Sequence, residues 1–201
     1  MKQYSVITVD KPEQIADAPV VQIDCFSESS VYRPTTTAAI VYLKERGFLC
    51  RMCCQESNPR ADMTQPDSDT YKDSCMEWFV NFNPALGEAY LNLEANARGT
   101  LHCKLGKDRY VRRALDEFSA ERPTATAVVT QTDWRVDYFI SMKTIRSLFR
   151  VDSVRTGDCF RGNFYKCGNE TSQPHYGMWN RVASTPLDFH RPDFFGTFVL
   201  L

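Results

Sequence analysis

The stretch TAAIVYLKERGFLCRMCCQ, residues 37–55, indicates the fold of this chain most directly. It contains two largely apolar runs, residues 37–43 and 48–55, joined by the turn Lys44-Glu45-Arg46-Gly47. Two strand-like runs separated by a short turn that contains glycine predict a β-hairpin. A β-rich fold is therefore the first expectation.

Strand-like segments recur on both sides of this hairpin. In residues 88–96, for example, Leu91 and Leu93 share one face while Asn92 and Glu94 share the other. The other predicted strands are residues 5–9, 21–25, 75–82, 100–105, 125–130, 134–141, 160–166, 176–182 and 197–201. Regular spacing of so many short strands is typical of an all-β protein.

Helical periodicity is scarce by comparison. The spacing of Val111, Ala114, Leu115 and Phe118 predicts a short surface helix, and residues 144–150 predict one more turn or two. About ten strands with one or two short helices favour a two-sheet antiparallel β-sandwich of the jelly-roll type. No repeat, linker or low-complexity segment divides the chain, so residues 1–201 are predicted to form a single domain.

Composition and charge argue against nucleic acid and membrane as partners. The chain has 24 basic and 25 acidic residues and a net charge of −1, whereas binding to phosphate backbones needs clustered basic residues. The apolar runs are far shorter than the ~18 residues of a membrane span. The first residues, MKQYSVITVDKPEQ, lack the apolar core of a secretory signal, so we expect a cytoplasmic protein whose eight cysteines are reduced thiols.

Three further segments form an ordered set. They are YKDSCMEWF at residues 71–79, RGNFYK at 161–166, and the pair HYGMWN at 175–180 and DFHRPDFFG at 188–196. In order and spacing they resemble family 9 carbohydrate-binding modules, especially the subgroup found as freestanding or appended domains in bacteria. The resemblance spans roughly residues 30–201, nearly the whole chain.

The resemblance implies a β-sandwich that grips a sugar between two aromatic rings, beside a few polar side chains. Tyr71 matches the ring before the acidic strand, Phe189 matches the ring near the C-terminus, and Glu77 matches the acid. Better-studied members carry two tryptophans as the clamp, and an arginine where Asn92 or Glu94 stands here. The predicted ligand contacts are Tyr71, Glu77, Asn92, Glu94, Trp179 and Phe189, with Trp179 at the edge of the groove.

These residue types suit a sugar for physical reasons. A pyranose has a C–H face that packs on an aromatic ring, and a rim of hydroxyls that need donors and acceptors. The prediction is non-catalytic binding of a mono- or oligosaccharide in an aromatic-lined groove. Carbohydrate is the expected partner, and a catalytic partner protein is left open without an identity.

Two other functions remain open from the sequence. Glu77 and Glu94 lie on consecutive predicted strands, and a glycoside hydrolase needs two carboxylates about 5–10 Å apart. Alternatively, the changed clamp residues favour a sandwich that has lost its sugar and serves protein–protein interaction. An enzyme is not predicted, because nothing in the sequence marks either glutamate as a catalytic acid.

The sequence predicts no metal site and no cofactor. Cys50-x-x-Cys53-Cys54 is half of a zinc motif, and His102-Cys103 offers partners, but a second spaced pair is absent. Cys50 and Cys54 are interpreted as small core residues of a strand. Calcium is the one cation left open, at four aspartates that crowd one loop: Asp62, Asp67, Asp69 and Asp73.

Overall fold

The chain folds into a mostly β structure, described by a computed structural model that covers all residues, 1–201. The strands are β1 Gln3–Val9, β2 Val21–Gln22, β3 Cys25–Phe26, β4 Thr36–Leu43, β5 Gly47–Cys54, β6 Cys75–Asn81, β7 Tyr90–Asn96, β8 Leu101–Gly106, β9 Arg112–Ala114, β10 Thr124–Val129, β11 Trp134–Ser141, β12 Cys159–Cys167, β13 Tyr176–Met178 and β14 Gly196–Leu200. The helices are α1 Met142–Phe149 and short 3-10 helices at Pro12–Asp17, Thr70–Lys72, Leu115–Phe118 and Pro192–Phe194. The prediction of a strand-rich protein with few helices is confirmed.

The predicted hairpin is present as β4 and β5. The two strands pair antiparallel, from Thr36 opposite Cys54 to Leu43 opposite Gly47. Gly47 has a φ of 147°, and a Cβ built on it would lie 2.1 Å from the carbonyl oxygen of Ile140. Glycine is therefore required at this position by the backbone conformation and by the close approach of β11.

The sheet is mixed, because β1 has parallel neighbours on both sides. The strand order is β10-β11-β5-β4-β1-β14-β12-β6-β7-β8-β9, in which residues 3–6 of β1 pair with β14 and residues 7–9 pair with β4. A parallel neighbour needs a crossover connection rather than a hairpin, and residues 10–35 supply one between β1 and β4. The antiparallel part of the prediction is corrected accordingly: the strands form a large curled sheet of mixed pairing.

The two halves of the curled sheet share one main core. Most of its 34 buried residues come from β4, β5 and β11 on one side and from β6, β7, β8 and β12 on the other, and β1, β14 and α1 add further members. The Tyr138 hydroxyl on β11 donates a hydrogen bond to the carbonyl oxygen of Met76 on β6, 2.5 Å away, and so links the two sides. Trp179 belongs to this core, 2% exposed, and packs on Phe164 and Phe198.

The outer face of β6, β7 and β12 carries a second, smaller apolar cluster. It includes Phe79, Tyr90 and Tyr165, and it is covered by Val182, Phe189 and other residues of the C-terminal segment. Strand alternation explains this face, because every second residue of these strands points away from the main core. The functional site lies where this covering segment leaves the sheet open.

One helix prediction is confirmed and one is corrected. Helix α1 covers most of the predicted residues 144–150, with Ser141 as its N-cap, whose hydroxyl accepts from the Thr144 amide. Residues 111–118 do not form an α-helix: β9 pairs with β8 at the sheet edge, and Leu115–Phe118 form a 3-10 helix. None of the helices combines the length and the hydropathy needed to cross a bilayer.

Candidate functional site

An open cleft of about 480 Å³ lies on the outer face of β6, β7 and β8, beside the end of β12. Volumes of this size are typical of sites for small organic ligands. The lining residues come from both faces of the cleft: Ser27, Ser29, Asp69, Tyr71, Glu77, Glu94, His102, Lys104, Arg109, Arg112, Cys167, Asn169, Tyr176, Leu187, Phe189 and His190. Charged and aromatic side chains therefore meet in one solvent-open cavity.

The floor of the cleft is a row of side chains on adjacent strands. Tyr165 on β12 stands opposite Glu77 on β6, Glu77 opposite Glu94 on β7, and Glu94 opposite His102 on β8. Directly opposite residues have Cβ atoms about 4.5–5.5 Å apart on the same face of a sheet. Sheet register alone thus brings two carboxylates and an imidazole together.

Glu77 is almost completely buried in this floor, at 3% exposure. Burial raises its pKa well above the ordinary value, and the neighbouring Cys167 and Glu94 raise it further. The Cys167 thiol donates to Glu77 Oε1 at 2.9 Å. The proton is therefore held more strongly by this carboxyl group than by an ordinary glutamate.

One neutral and one cationic side chain contact the Glu94 carboxylate. The side-chain amide of Asn92 donates to Glu94 Oε1 at 2.7 Å, and Arg112 Nη1 lies 3.6 Å from the same oxygen. Arg112 in turn lies 3.5 Å from Nε2 of His190, whose Nδ1 is 2.9 Å from the Tyr90 hydroxyl. Because arginine can only donate, His190 Nε2 accepts, and Nδ1–H donates to Tyr90.

His190 stays neutral in this arrangement. Burial lowers its pKa far below the ordinary value, and the charges of Arg112 and Arg109 lower it further. A neutral imidazole leaves the positive charge of Arg112 free to face Glu94 and the cleft. Arg112, on the edge strand β9, thus supplies a fixed hydrogen-bond donor beside the acidic floor of the cleft.

The aromatic residues of the cleft are Tyr71, Phe189 and Tyr176. Tyr71 is 37% exposed at the 3-10 helix Thr70–Lys72, and its carbonyl accepts from the Asn169 amide. Phe189 is 8% exposed and stacks on Tyr165 at 4.1 Å between ring centroids, with an interplanar angle of 12°. The Tyr71 ring is therefore presented to solvent, whereas the Phe189 ring is a nearly buried part of the cleft wall.

The Phe189 wall is attached to the rest of the cleft by hydrogen bonds. The Tyr165 hydroxyl donates to the carbonyl of Phe189 at 3.0 Å. Arg109 donates twice to Asp188 Oδ1, at 3.0 and 2.8 Å, and the His190 amide donates to the same oxygen. Hydrogen bonds thus link the loop between β8 and β9 to the C-terminal segment in one wall.

The structure brings four of the six predicted contacts into one cleft: Tyr71, Glu77, Glu94 and Phe189. Asn92 is fully buried behind them and acts on Glu94 rather than on the cavity. Trp179 lies in the main core and is corrected: it is not at the groove edge. Its packing on Phe164 of β12 and Phe198 of β14 accounts for its burial.

Sequence reasoning missed the basic and imidazole side of the site. Lys104, Arg109 and Arg112 all line the cleft, and so does His102, whose Nδ1 is 3.0 Å from the Asp67 carbonyl and whose Nε2 has no hydrogen-bond partner. Alternation along residues 100–105 could have identified His102 and Lys104 as neighbours of Glu94. The two arginines gave no local signal, because they lie beyond the strand in a turn and at the sheet edge.

The residues considered for calcium and those considered for zinc have different surroundings in the structure. Each aspartate considered for calcium has a basic partner: the pairs are Asp62–Arg60, Asp73–Arg60, Asp67–Arg122 and Asp69–Lys72. Arg60 is shared by two of these aspartates, so the charge is partly compensated, and calcium at this loop stays an open alternative. The zinc half-motif is dispersed, since Cys50 and Cys54 lie in the main core while His102 lines the cleft.

The curled β-sheet with an open polar and aromatic cleft defines the class of protein: a β-rich ligand-binding module. The family model described as carbohydrate-binding family 9 matches residues 8–200. The chain belongs to this family of carbohydrate-binding modules. Comparison with curated proteins gave no significant match.

Solved structures share the fold over their whole length. A candidate carbohydrate-binding protein from Bacteroides uniformis ATCC 8492 has a TM-score of 0.81 and 22% identity, with 100% of this chain and 99% of that chain covered. A carbohydrate binding module of family 9 from Caldicellulosiruptor kristjanssonii in complex with glucose has a TM-score of 0.71 and 11% identity, with 100% and 96% covered. The same kind of module in complex with cellotriose has a TM-score of 0.70 and 10% identity, with 99% and 93% covered. At these identities the similarity concerns the fold.

Proposed function

We propose that the cleft binds a mono- or oligosaccharide between Tyr71 and Phe189, with Glu77 and Glu94 accepting hydrogen bonds from its hydroxyls. The observation that carries this proposal is the convergence of these four side chains on one open cavity. Phe189 lies at least 95 residues further along the chain than the other three, so their meeting is a property of the fold. No catalytic step is required of any of them.

The two aromatic residues have different parts in the proposal. The exposed Tyr71 ring offers a large, stiff surface on which the C–H face of a pyranose can pack. Phe189 has one ring face covered by Tyr165, so it contributes its remaining surface as a wall. Tyr176, at 6.5 Å from Phe189 between ring centroids, extends that wall.

Donors for the sugar come from the basic side of the cleft. Lys104 and Arg112 supply N–H groups next to the acceptors Glu77 and Glu94, so a hydroxyl can donate to a carboxylate and accept from a cation. The family position that carries an arginine on the β7 strand is occupied by Asn92 or Glu94 here. Arg112 reaches Glu94 from β9 instead, which supports retention of a donor at the same place.

The two sugars found with the Caldicellulosiruptor modules, glucose and cellotriose, are the first ligands to test. Isothermal titration of each sugar into the wild-type protein and into Tyr71→Ala measures the part played by the ring. Loss of one stacked ring should raise Kd by a factor of about 5–150, equivalent to about 1–3 kcal/mol.

Tyr110→Ala is the matched control, because Tyr110 is 88% exposed and does not line the cleft. This variant should bind as the wild type does. If Tyr71→Ala and Tyr110→Ala bind both sugars equally well, the cleft is not the binding site. If the wild type binds no sugar in a wider panel of mono- and disaccharides, the proposed function is wrong.

A further inference from the structure

Three metal-ligating side chains meet in the floor of the cleft, at Cys75, Glu77 and Cys167. Their donor atoms all lie within 4.8 Å of one another. Cys75 stands directly opposite Cys167 across the pairing of β6 with β12, and Glu77 follows two residues later on the same face of β6. The triangle is therefore set by sheet register and not by a loose loop.

The polar atoms of this triangle have few partners within the protein. The three residues are 0%, 3% and 2% exposed in chain order. The only hydrogen bond to the Glu77 carboxyl comes from the Cys167 thiol. The Cys75 thiol contacts the Met76 carbonyl at 3.7 Å and the Cys167 thiol. A buried carboxyl group normally has stronger partners, so this one lacks compensation from the chain itself.

No basic side chain makes an ion pair with Glu77. Arg109 is the cation whose charge acts on it, but Arg109 makes its own ion pair with Asp188, 2.8 Å away. Arg112 is paired with Glu94. A bound cation would supply the positive charge that the floor lacks.

The donor set selects the class of cation. Two sulfurs and one carboxylate oxygen suit a borderline or soft ion such as Zn²⁺, whereas Ca²⁺ and Mg²⁺ take oxygen ligands. With Zn–S near 2.3 Å and Zn–O near 2.1 Å, donors of a tetrahedral site lie roughly 3.5–3.8 Å apart, which small side-chain rotations can reach here. Glu77 and Cys167 line the cleft, so the fourth coordination position faces the cavity.

We propose that Cys75, Glu77 and Cys167 form a binding site for a zinc-class divalent cation, with the fourth position open to the cleft. Binding converts both thiols to thiolates and releases their two protons to solvent, together with the Glu77 proton where that group is protonated. Affinity for the metal should therefore increase as the pH rises.

The site has a consequence that rests on the proposed function. Glu77 cannot give the same oxygen atoms both to the metal and to a sugar hydroxyl. Metal and sugar should therefore weaken each other's binding, by the same factor in both directions. The cation would then act as a regulator of the cleft.

The test is a titration of the reduced, full-length protein with Cd²⁺ or Co²⁺, without sugar, followed by ultraviolet absorption of the thiolate–metal charge-transfer band. We expect one ion per chain, and a loss of at least tenfold in affinity in Cys75→Ser and in Cys167→Ser. Cys53→Ser is the matched control, since Cys53 lies half-buried on β5, outside the cleft. It should keep the wild-type affinity.

Glu77→Gln keeps both thiols and should also weaken metal binding. This variant therefore tests the site even if the cysteine variants fail to fold. Absence of the band in the wild type, or equal affinity in Cys53→Ser, Cys75→Ser and Cys167→Ser, would overturn the metal site. Sugar titrations on chelator-treated protein test the proposed function separately. Binding of sugar with no metal site, or of metal with no sugar, thus rejects one proposal and leaves the other standing.

Discussion

At the scale of single residues, Glu77 is the most perturbed acid of the cleft. Its strand places it in the floor, where water cannot solvate the carboxylate, and its neighbours are a thiol and a second acid. The folded protein therefore holds the Glu77 proton to a higher pH than the unfolded chain does, where the pKa is about 4.3. Proton binding by the folded state stabilises it.

The raised pKa predicts a pH-dependent stability. The contribution of Glu77 is fully present below the unfolded pKa and is lost as the pH rises through the folded pKa. Glu77→Gln removes this loss, because its amide has no proton to release. The melting temperature of Glu77→Gln relative to wild type should thus increase steadily from pH 5 to pH 8, measured by circular dichroism.

The exposed Glu88 provides the control for that comparison. Glu88→Gln should leave the melting temperature close to that of wild type, since Glu88 is exposed in the turn before β7. A melting temperature for Glu77→Gln that runs parallel to the wild-type curve across this range would mean that Glu77 titrates normally.

At the scale of elements, the wall that contains Phe189 depends on a link between two loops. The turn after β8 provides Arg109, and the C-terminal segment provides Asp188, which also accepts from the His190 amide. Asp188 is 25% exposed and Arg109 47% exposed at their side chains. A pair with this exposure adds little to global stability, so its effect should be on the position of the wall.

Asp188→Asn should therefore weaken sugar binding while leaving the melting temperature nearly unchanged. We expect a rise in Kd of about 3–10-fold, for a loss of roughly 1 kcal/mol of positioning. Amide hydrogen exchange in residues 186–191 should become faster. Isothermal titration and exchange mass spectrometry measure the two effects.

The control for this link is Asp193→Asn, which breaks a comparable exposed pair with Arg191. It should change neither sugar affinity nor exchange in residues 186–191. Equal affinity in wild type and Asp188→Asn would show that Phe189 is positioned by its stacking on Tyr165 alone.

At the scale of the whole molecule, β1 joins the two halves of the curled sheet. One end of the strand pairs with β14 and the other with β4, while Tyr4 and Val6 enter the shared main core. The Tyr4 hydroxyl accepts from the Ile40 amide at 2.8 Å and so adds a side-chain link to the backbone pairing. The halves should therefore unfold together.

Val6→Ala tests this coupling. Removing two methyl groups from a site with 0% exposure should cost about 1–3 kcal/mol and lower the melting temperature by about 2–4 °C per kcal/mol, in one transition. Circular dichroism and tryptophan fluorescence should report the same midpoint. The neighbouring exposed Thr8, changed to Ala, should have a much smaller effect, and two separated transitions in Val6→Ala would contradict the coupling.

The alternation of apolar and polar residues along the chain was sufficient to predict much of the fold and part of the site. Alternation along β7 put Leu91 and Leu93 in the core and Glu94 in the cleft, because side chains on a strand point alternately to opposite faces. The hairpin of β4 and β5 followed from its turn. The reduced state of the cysteines and the cytoplasmic compartment both stay predictions.

Tertiary structure alone decided which distant segments meet. Four features depend on contacts between separate segments of the chain. They are the parallel pairing of β1, the burial of Trp179, the position of Arg112 beside Glu94, and the pairing of Cys75 with Cys167. Sequence periodicity describes which face of its own strand a residue occupies. Which strand lies next to it depends on the packing of the entire sheet, and that packing places the acid, the thiols and the basic edge in a single cleft.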